Sequence, residues 1–237
     1  MLFKEVMELW LAEKRNYIKE STYAHYSFEV NNYLIPVLGD INIEDITEEK
    51  IQHSVLKWQN TGMSNGQPLK KSTVQNLVTV IKQSLRYAVK KGYIGDLKLE
   101  IHFVSQGQNS RKRKVFSESE QSELVVALLS DISYKSFGIL LCMNSGLRIG
   151  EVCALKWEDF DLENQILHIS KTIQRIYMKN SVPKTHIAIT EPKTLSSIRD
   201  IPLSDKICKI IEQLNVENID NYILTNGKQF MEPRTFR

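Results

Sequence analysis

A helical repeat of apolar residues constrains the fold of this chain more than any other feature of its sequence. Between residues 74 and 89, apolar side chains recur at intervals of three and four, which places them on one face of an amphipathic helix. The members of this stripe are Val74, Leu77, Val78, Ile81, Leu85, Ala88 and Val89. Gly92 follows the stripe and predicts the end of the helix, because glycine readily adopts the left-handed conformation of a helix terminus.

Three earlier stretches carry the same spacing, so the first hundred residues predict a bundle of four helices. Thr47 begins the third of these stretches, where its hydroxyl can cap the helix. The apolar positions are Phe3, Val6, Met7 and Trp10 in the first stretch, Tyr26, Val30, Tyr33, Leu34 and Val37 in the second, and Ile51, Val55 and Trp58 in the third.

The second half of the chain combines helices with short strands. Ser117 and Glu120 form the pattern of a capping box, which predicts a helix start, and an apolar helix continues to Met143. Residues 166–169, 186–190 and 198–203 are rich in β-branched residues and predict strands. The expected fold class is therefore mainly α with a small antiparallel β-sheet.

A polar segment separates these two halves. The helical pattern fades after Gly95, and the segment ends in the densest run of positive charge, Arg111, Lys112, Arg113 and Lys114. We predict a helical domain over residues 1–103, a basic linker over 104–114 and a second domain over 115–237. The basic run is equally compatible with contact to phosphates and with a solvated patch.

Composition sets only loose limits on function. The chain has 237 residues, of which 42% are hydrophobic, and its formal net charge of +3 permits nucleic-acid binding without requiring it. Cys142, Cys153 and Cys208 lack the paired spacing of disulfide frameworks or metal sites, so we expect neither a metal nor a cofactor. We expect no signal peptide, because Met1 leads straight into an amphipathic segment, and the sequence contains no apolar run of roughly 18 residues, so the cytoplasm is the expected compartment.

One arginine lies in the sequence context of an anion site. Gly146 predicts a turn, and Arg148 follows it at the start of a short helix, where backbone N–H groups and a planar guanidinium both favour negative charge. Glu151 lies three residues later on the same helical face and can orient the guanidinium. The alternative for Glu151 is a surface ion pair of little energetic value.

The stretch 144–161, followed by residues 191–194 and 196–203, resembles the tyrosine recombinase (phage integrase) family, especially the integrases of mobile elements. The resemblance implies an N-terminal four-helix core-binding (SAM-like) domain that holds DNA, followed by an α+β catalytic domain. It also implies DNA integration and recombination by strand breakage, in which a tyrosine attacks a phosphodiester, forms a 3′-phosphotyrosyl link and expels the 5′-hydroxyl.

The resemblance assigns three residues to the reaction. Arg148 matches the first of the family's two arginines, Glu151 its acidic position, and Lys193 the lysine on a β-turn that protonates the leaving oxygen. An ammonium group can release a proton once its surroundings lower its pKa, whereas a guanidinium hardly deprotonates. Taken alone, Arg148 and Lys193 would each be an ordinary surface cation.

Further residues are candidates for contact with the DNA backbone. Two cations and two hydroxyls meet near a predicted helix start, where they can bind phosphates or simply cap and solvate the helix. These four residues are Lys70, Lys71, Ser72 and Thr73. Lys171 and Arg199 can touch phosphate as well, although exposed cations on strands often serve only solubility.

Parts that the family needs for catalysis are absent from the 237 residues. No histidine follows His186, so the His-x-x-Arg motif is missing, and Tyr222 precedes the position of the second arginine and is expected to serve packing. We therefore expect a truncated, incomplete catalytic domain that does not cleave DNA alone.

Three functions remain open at this stage. The first is a site-specific recombinase chain, bacterial and nucleoid-associated, whose partner is double-stranded DNA with inverted-repeat sites. The family assembles as a tetramer on DNA, and we expect this chain to be monomeric in solution. The second is a catalytically dead module that competes for recombination sites, and the third is a helical protein-interaction scaffold.

Overall fold

The computed structural model describes residues 1–63, 66–104, 115–179, 181–192 and 197–237. The chain divides into two compact units, one comprising Met1–Arg111 and Ile176–His186, the other Lys112–Arg175 and Ile187–Arg237. The break after Arg111 lies within the predicted linker. The first unit also contains Ile176–His186, which the sequence had placed in the second domain, so the predicted domain boundaries stay a prediction.

The first unit is built mainly from helices. The helices are α1 (Phe3–Lys14), α2 (Glu20–Glu29), a π-helical turn (Val30–Leu34), α3 (Ile35–Leu38), a 3₁₀ turn (Ile43–Asp45), α4 (Glu48–Asn60) and α5 (Lys71–Lys90). Because α2, the π-helical turn and α3 follow one another without a break, they correspond to the second of the four predicted helices.

The predicted apolar stripe of α5 forms the centre of this unit's core. Val74, Leu77, Ile81 and Ala88 are fully buried, and Trp58 of α4 belongs to the same cluster. Val89, at the end of the stripe, is half-buried. Burial of each large aliphatic side chain contributes about 1.5–3 kcal/mol, so this face fixes α5 in the bundle.

The ends of α4 and α5 are set in different ways. The Thr47 hydroxyl accepts a hydrogen bond from the Lys50 amide at 3.3 Å, which confirms the predicted cap of α4. The sequence also suggested that Ser72 or Thr73 caps α5, and this prediction is wrong. The helix begins at Lys71, and the residue at the cap position, Lys70, makes no side-chain hydrogen bond to the helix start. The N–H of Leu69 donates to the Trp58 carbonyl at 2.9 Å, so the chain is already held where the helix begins.

The second unit combines helices with most of the strands. Its helices are α6 (Glu118–Ser130), α7 (Tyr134–Ser145), α8 (Ile149–Val152), a 3₁₀ turn (Trp157–Asp159), α9 (Asp205–Gln213) and α10 (Pro233–Phe236). Ser117 and Glu120 form the predicted capping box, with the Ser117 amide donating to the Glu120 carboxylate at 2.7 Å. Phe137, Leu141 and Leu167 are fully buried in this unit's core.

The strands of the described residues form two small sheets. They are β1 (Phe160–Asp161), β2 (Ile166–Ile169), β3 (Thr172–Tyr177), β4 (Thr185–Thr190) and β5 (Arg199–Pro202), in the orders β1-β2-β5 and β3-β4. β2 pairs with β5 in antiparallel register, with Ile169 opposite Arg199. The predicted fold class is confirmed, although β3 was not expected. Within the described ranges, no helix has the length and apolarity of a membrane span.

Candidate phosphate-binding site

A tight turn between α7 and α8 places Arg148. Gly146 ends α7 in the left-handed conformation at φ +59°, and its N–H donates to the Cys142 carbonyl at 3.0 Å. The side chain of Leu147 then enters the core, and Arg148 lies in extended conformation directly before α8. The sequence therefore fixes the backbone of Arg148 between a glycine turn and a buried anchor.

Gly150 allows the short helix α8 to approach β3 closely. A Cβ atom at this position would lie 2.5 Å from the Thr172 hydroxyl oxygen and 2.6 Å from the Ile173 carbonyl oxygen. Those separations are far below van der Waals contact, so any larger residue has to displace α8. Because Arg148 begins this helix, the contact with β3 also sets the position of the arginine.

The Glu151 carboxylate joins two arginines that are 51 residues apart in sequence. Its Oε1 accepts from Arg148 Nη1 at 2.7 Å and from Arg199 Nη1 at 3.2 Å. Its Oε2 accepts from the Arg148 backbone N–H at 2.9 Å and from Arg199 Nη2 at 2.9 Å. The side chain of Glu151 is only 3% exposed, so a buried carboxylate holds both guanidinium groups.

These contacts determine the charge of Glu151. Burial alone raises the pKa of the carboxyl group, but hydrogen bonds from Arg199 and Arg148 outweigh burial and lower this pKa to about 2. The carboxylate in turn raises the pKa of Arg199. All three groups are therefore charged at neutral pH, and the cluster carries a net charge of +1.

The two arginines differ in their exposure. The Arg148 side chain is 70% exposed, whereas that of Arg199 is 28% exposed. Arg199 also donates to the Ser197 carbonyl at 3.1 Å, so its guanidinium is engaged on the protein side. Arg148 can thus present N–H groups to an external anion, which is the geometry for which guanidinium binds phosphate.

The structure also changes the expected role of the helix start. The sequence suggested that backbone N–H groups there would help to bind an external anion. The Arg148 N–H instead donates to Glu151, so the protein's own carboxylate occupies this position. The guanidinium of Arg148 remains as the group that faces outward.

Within the described residues, no hydrogen bond or ion pair joins the other candidate residues to Glu151, and some candidates lie outside the described residues. Lys171 precedes β3, its ammonium lies 3.8 Å from Glu158, and it is exposed. Residues 70–73 begin α5 in the first unit, with Lys70 and Ser72 exposed and Lys71 and Thr73 half-buried. The basic run 111–114 and Lys193 lie outside the described residues, so their roles stay predictions.

A basic groove in the first unit was missed from the sequence. It measures about 580 Å³ and lies between α1 and α5. Its cations are Lys14, Lys82, Arg86 and Lys90, and its aromatic residues are Trp10 and Tyr87. Glu13, also at the groove, pairs with Lys91 at 2.9 Å. The available signal was the spacing of four residues between Lys82, Arg86 and Lys90 along α5.

The helical unit, the α+β unit and a guanidinium held by a buried glutamate have the features of a tyrosine recombinase. Residues 2–60 match the family model of the phage integrase N-terminal SAM-like domain, and residues 114–229 match that of the phage integrase family. The chain belongs to the phage integrase family of tyrosine recombinases.

Curated relatives carry the same family names. The chain is 26% identical over 218 residues to a tyrosine recombinase XerC-like protein of Caldanaerobacter subterraneus, covering 88% of this chain and 54% of that protein. It is 23% identical over 219 residues to the ICEBs1 integrase of Bacillus subtilis, covering 89% of this chain and 54% of that protein. The chain thus spans about half the length of these relatives.

Solved structures share the fold. The Tn1549 transposon integrase in complex with transposon right end DNA matches with a TM-score of 0.72 and 19% identity, over 92% of this chain and 66% of that one. A lambda integrase dimer bound to a COC′ core site matches with a TM-score of 0.62 and 15% identity, over 100% of this chain and 61% of that one. At these identities the likeness concerns the fold alone.

Proposed function

We propose that this chain belongs to a site-specific DNA recombinase, in which it binds duplex DNA and holds a backbone phosphate with Arg148. One observation carries this proposal: an exposed guanidinium is fixed in place by a buried, ionised glutamate. A prepositioned cation of this kind stabilises the negative charge that develops on phosphate oxygens during strand transfer.

The reaction class follows from the family. A tyrosine attacks the phosphodiester, a phosphotyrosyl link forms, and the 5′-hydroxyl leaves with a proton that we assign to Lys193. Arg148 contributes by donating to the oxygens of the phosphate under attack. The relatives support this assignment because they are named as tyrosine recombinases and integrases.

Double-stranded DNA is the proposed partner. The matched structures are those of integrases bound to DNA, and one of them is a lambda integrase tetramer bound to a Holliday junction. In this chain the groove of α1 and α5 offers Lys82, Arg86 and Lys90 to a phosphate backbone, and residues 70–73 offer further donors. We propose that such contacts position the DNA without reading its sequence. We also propose that the specific sites are inverted repeats and that the chain alone is a monomer in solution.

Fluorescence anisotropy with a labelled 30-base-pair duplex tests whether Arg148 holds a backbone phosphate. We expect Arg148→Gln to weaken binding by roughly tenfold and to reduce the slope of log affinity against log salt by about one. Arg234→Gln is the matched control, because Arg234 is an exposed arginine of the same unit. If both substitutions weaken DNA binding equally, Arg148 contributes only its positive charge and does not hold a particular phosphate.

The same assay tests the basic groove. We expect the double substitution Lys82→Gln/Arg86→Gln to lower the salt slope by about two, because two phosphate contacts are lost. Lys50→Gln/Lys57→Gln removes two exposed lysines of α4 and serves as the control. If the unaltered chain does not bind the duplex even at low salt, the proposed function fails. That result would favour the alternative of a helical protein-interaction scaffold.

A further inference from the structure

We propose that Arg199 is a positioning residue that acts on Arg148 through Glu151, and that it is not itself a phosphate contact. The inference deepens the proposed function, on which it rests for its effect on DNA. It replaces the expectation from the sequence that Arg199 touches the DNA backbone.

The hydrogen bonds show how the coupling works. Each oxygen of Glu151 accepts one bond from Arg199 and one from Arg148, at distances between 2.7 and 3.2 Å. With both oxygens shared in this way, the carboxylate cannot turn toward one arginine without losing bonds to the other. The orientation of the Arg148 guanidinium therefore depends on bonds that Arg199 makes.

The β-sheet holds Arg199 in place, so Arg199 anchors the contacts that lead through Glu151 to Arg148. Arg199 begins β5 and lies opposite Ile169 of β2, while its guanidinium also donates to the Ser197 carbonyl. Arg148 lies in the turn between α7 and α8. A sheet residue thus anchors a turn residue through a buried carboxylate, which is how precise sites are usually supported.

The positive charge of Arg199 has a second effect on Arg148. With Arg199 present, the cluster of two arginines and one glutamate has a net charge of +1, which is available to a phosphate. Without it, Arg148 is the sole partner of a buried anion, and the pair is neutral. A buried carboxylate that loses one of its two cations attracts the remaining cation more strongly. We therefore expect loss of Arg199 to draw Arg148 toward Glu151 and away from the DNA.

Carbon-13 NMR of the Glu151 side-chain carboxyl tests the coupling without DNA. In the unaltered chain, we expect Glu151 to remain ionised down to about pH 3.5, because its pKa lies near 2. Arg199→Gln should raise this pKa toward the ordinary value of 4.5, and Arg199→Lys should restore part of the difference. Among the described residues, Cys142 of α7 is also affected by the Glu151 charge, but burial raises the pKa of its thiol to about 11, so this thiol stays protonated throughout the titration. An unchanged Glu151 titration in Arg199→Gln would overturn the proposal.

A double-mutant cycle tests the consequence for DNA. In the duplex assay at pH 7, we expect Arg199→Gln to weaken binding about tenfold in the unaltered chain and less than about twofold in a Glu151→Gln background. A direct phosphate contact predicts equal losses in both backgrounds and a salt slope reduced by about one in each, which would contradict the inference.

Two controls keep the outcomes distinct. If Arg199→Gln does not fold, as judged by circular dichroism, Arg199→Lys carries both measurements, because it keeps the charge but loses the two-pronged geometry. In that case a shifted Glu151 titration supports the proposal and an unshifted one refutes it. If Arg148→Gln leaves DNA binding unchanged, the proposed function fails, while the carboxyl titration still decides whether Arg199 controls Glu151.

Discussion

Two buried glutamates have pKa values that their surroundings shift in opposite directions. Glu151 accepts hydrogen bonds from two arginines, and its pKa falls to about 2. Glu29, at the end of α2, contacts His25 Nε2 at 3.1 Å, and within the described residues its Oε2 has no hydrogen-bond partner. Burial therefore raises the pKa of Glu29 to about 7. At neutral pH, Glu151 therefore stabilises the second unit, whereas burial of the Glu29 carboxyl group destabilises the first.

For Glu151 we expect a loss of stability in acid. Because the folded pKa lies below the ordinary value of 4.5, the contribution of Glu151 is complete above pH 4.5 and declines as pH falls toward 2. Glu151→Gln should lower the free energy of unfolding by about 2–4 kcal/mol at pH 7 and by much less near pH 2. Urea unfolding followed by the indole N–H signal of Trp157 in NMR spectra measures both values.

The control for this substitution is Glu212→Gln, since Glu212 is an exposed glutamate of α9 in the same unit. Its free energy of unfolding should differ little from that of the unaltered chain. If the loss in Glu151→Gln is the same at pH 7 and pH 2, the ion pairs with the arginines do not carry the stability.

For Glu29 the sign is reversed. The folded pKa lies above the ordinary value of 4.5, so stability is greatest below pH 4.5 and falls as pH rises toward 7. Glu29→Gln removes the buried charge and should gain about 2–3 kcal/mol relative to the unaltered chain between pH 4.5 and pH 8. Urea unfolding at both pH values, with the exposed Glu49→Gln as control, measures this gain. A difference independent of pH would show that Glu29 is not protonated in the folded unit.

At the scale of elements, the contact between α8 and β3 depends on Gly150, which has no side chain. Gly150→Ala places a Cβ against the Thr172 hydroxyl and the Ile173 carbonyl, so α8 has to move. We expect a loss of about 1–3 kcal/mol in the free energy of unfolding, together with weaker DNA binding because Arg148 moves with the helix. Thermal unfolding and the duplex assay measure the two effects.

Gly227→Ala is the matched control, because the nearest atoms to its added Cβ lie 3.8 Å away, in ordinary contact. This substitution should leave DNA binding unchanged. If Gly150→Ala also binds DNA like the unaltered chain, the close approach of α8 to β3 does not set the position of Arg148.

The elements also show what the sequence could predict. The α5 stripe and the Ser117 capping box were predicted correctly because both depend on residues within a few positions of one another. β3 was missed because its two buried residues, Ile173 and Ile176, are three positions apart and do not follow the alternation that predicts a strand. In the same way, the sequence placed Glu151 beside Arg148, three residues away, but gave no sign that Arg199 reaches the same carboxylate from β5.

At the scale of the whole molecule, the two units have separate hydrophobic cores. One core gathers side chains from α1 to α5, and the other gathers side chains from α7 onward. The tryptophans are divided between them, with Trp10 and Trp58 in the first core and Trp157 in the second. A unit with its own core can lose stability without unfolding the other.

This division predicts that core substitutions act locally. Ile81 and Leu167 are both fully buried, the first in α5 and the second in β2. We expect Ile81→Ala to cost about 2–5 kcal/mol and to reduce amide exchange protection in α5, while protection in α7 is kept. Leu167→Ala should produce the reverse pattern. Hydrogen exchange followed by NMR resolves the two helices, and equal losses in both helices from either substitution would show that the two cores unfold as one.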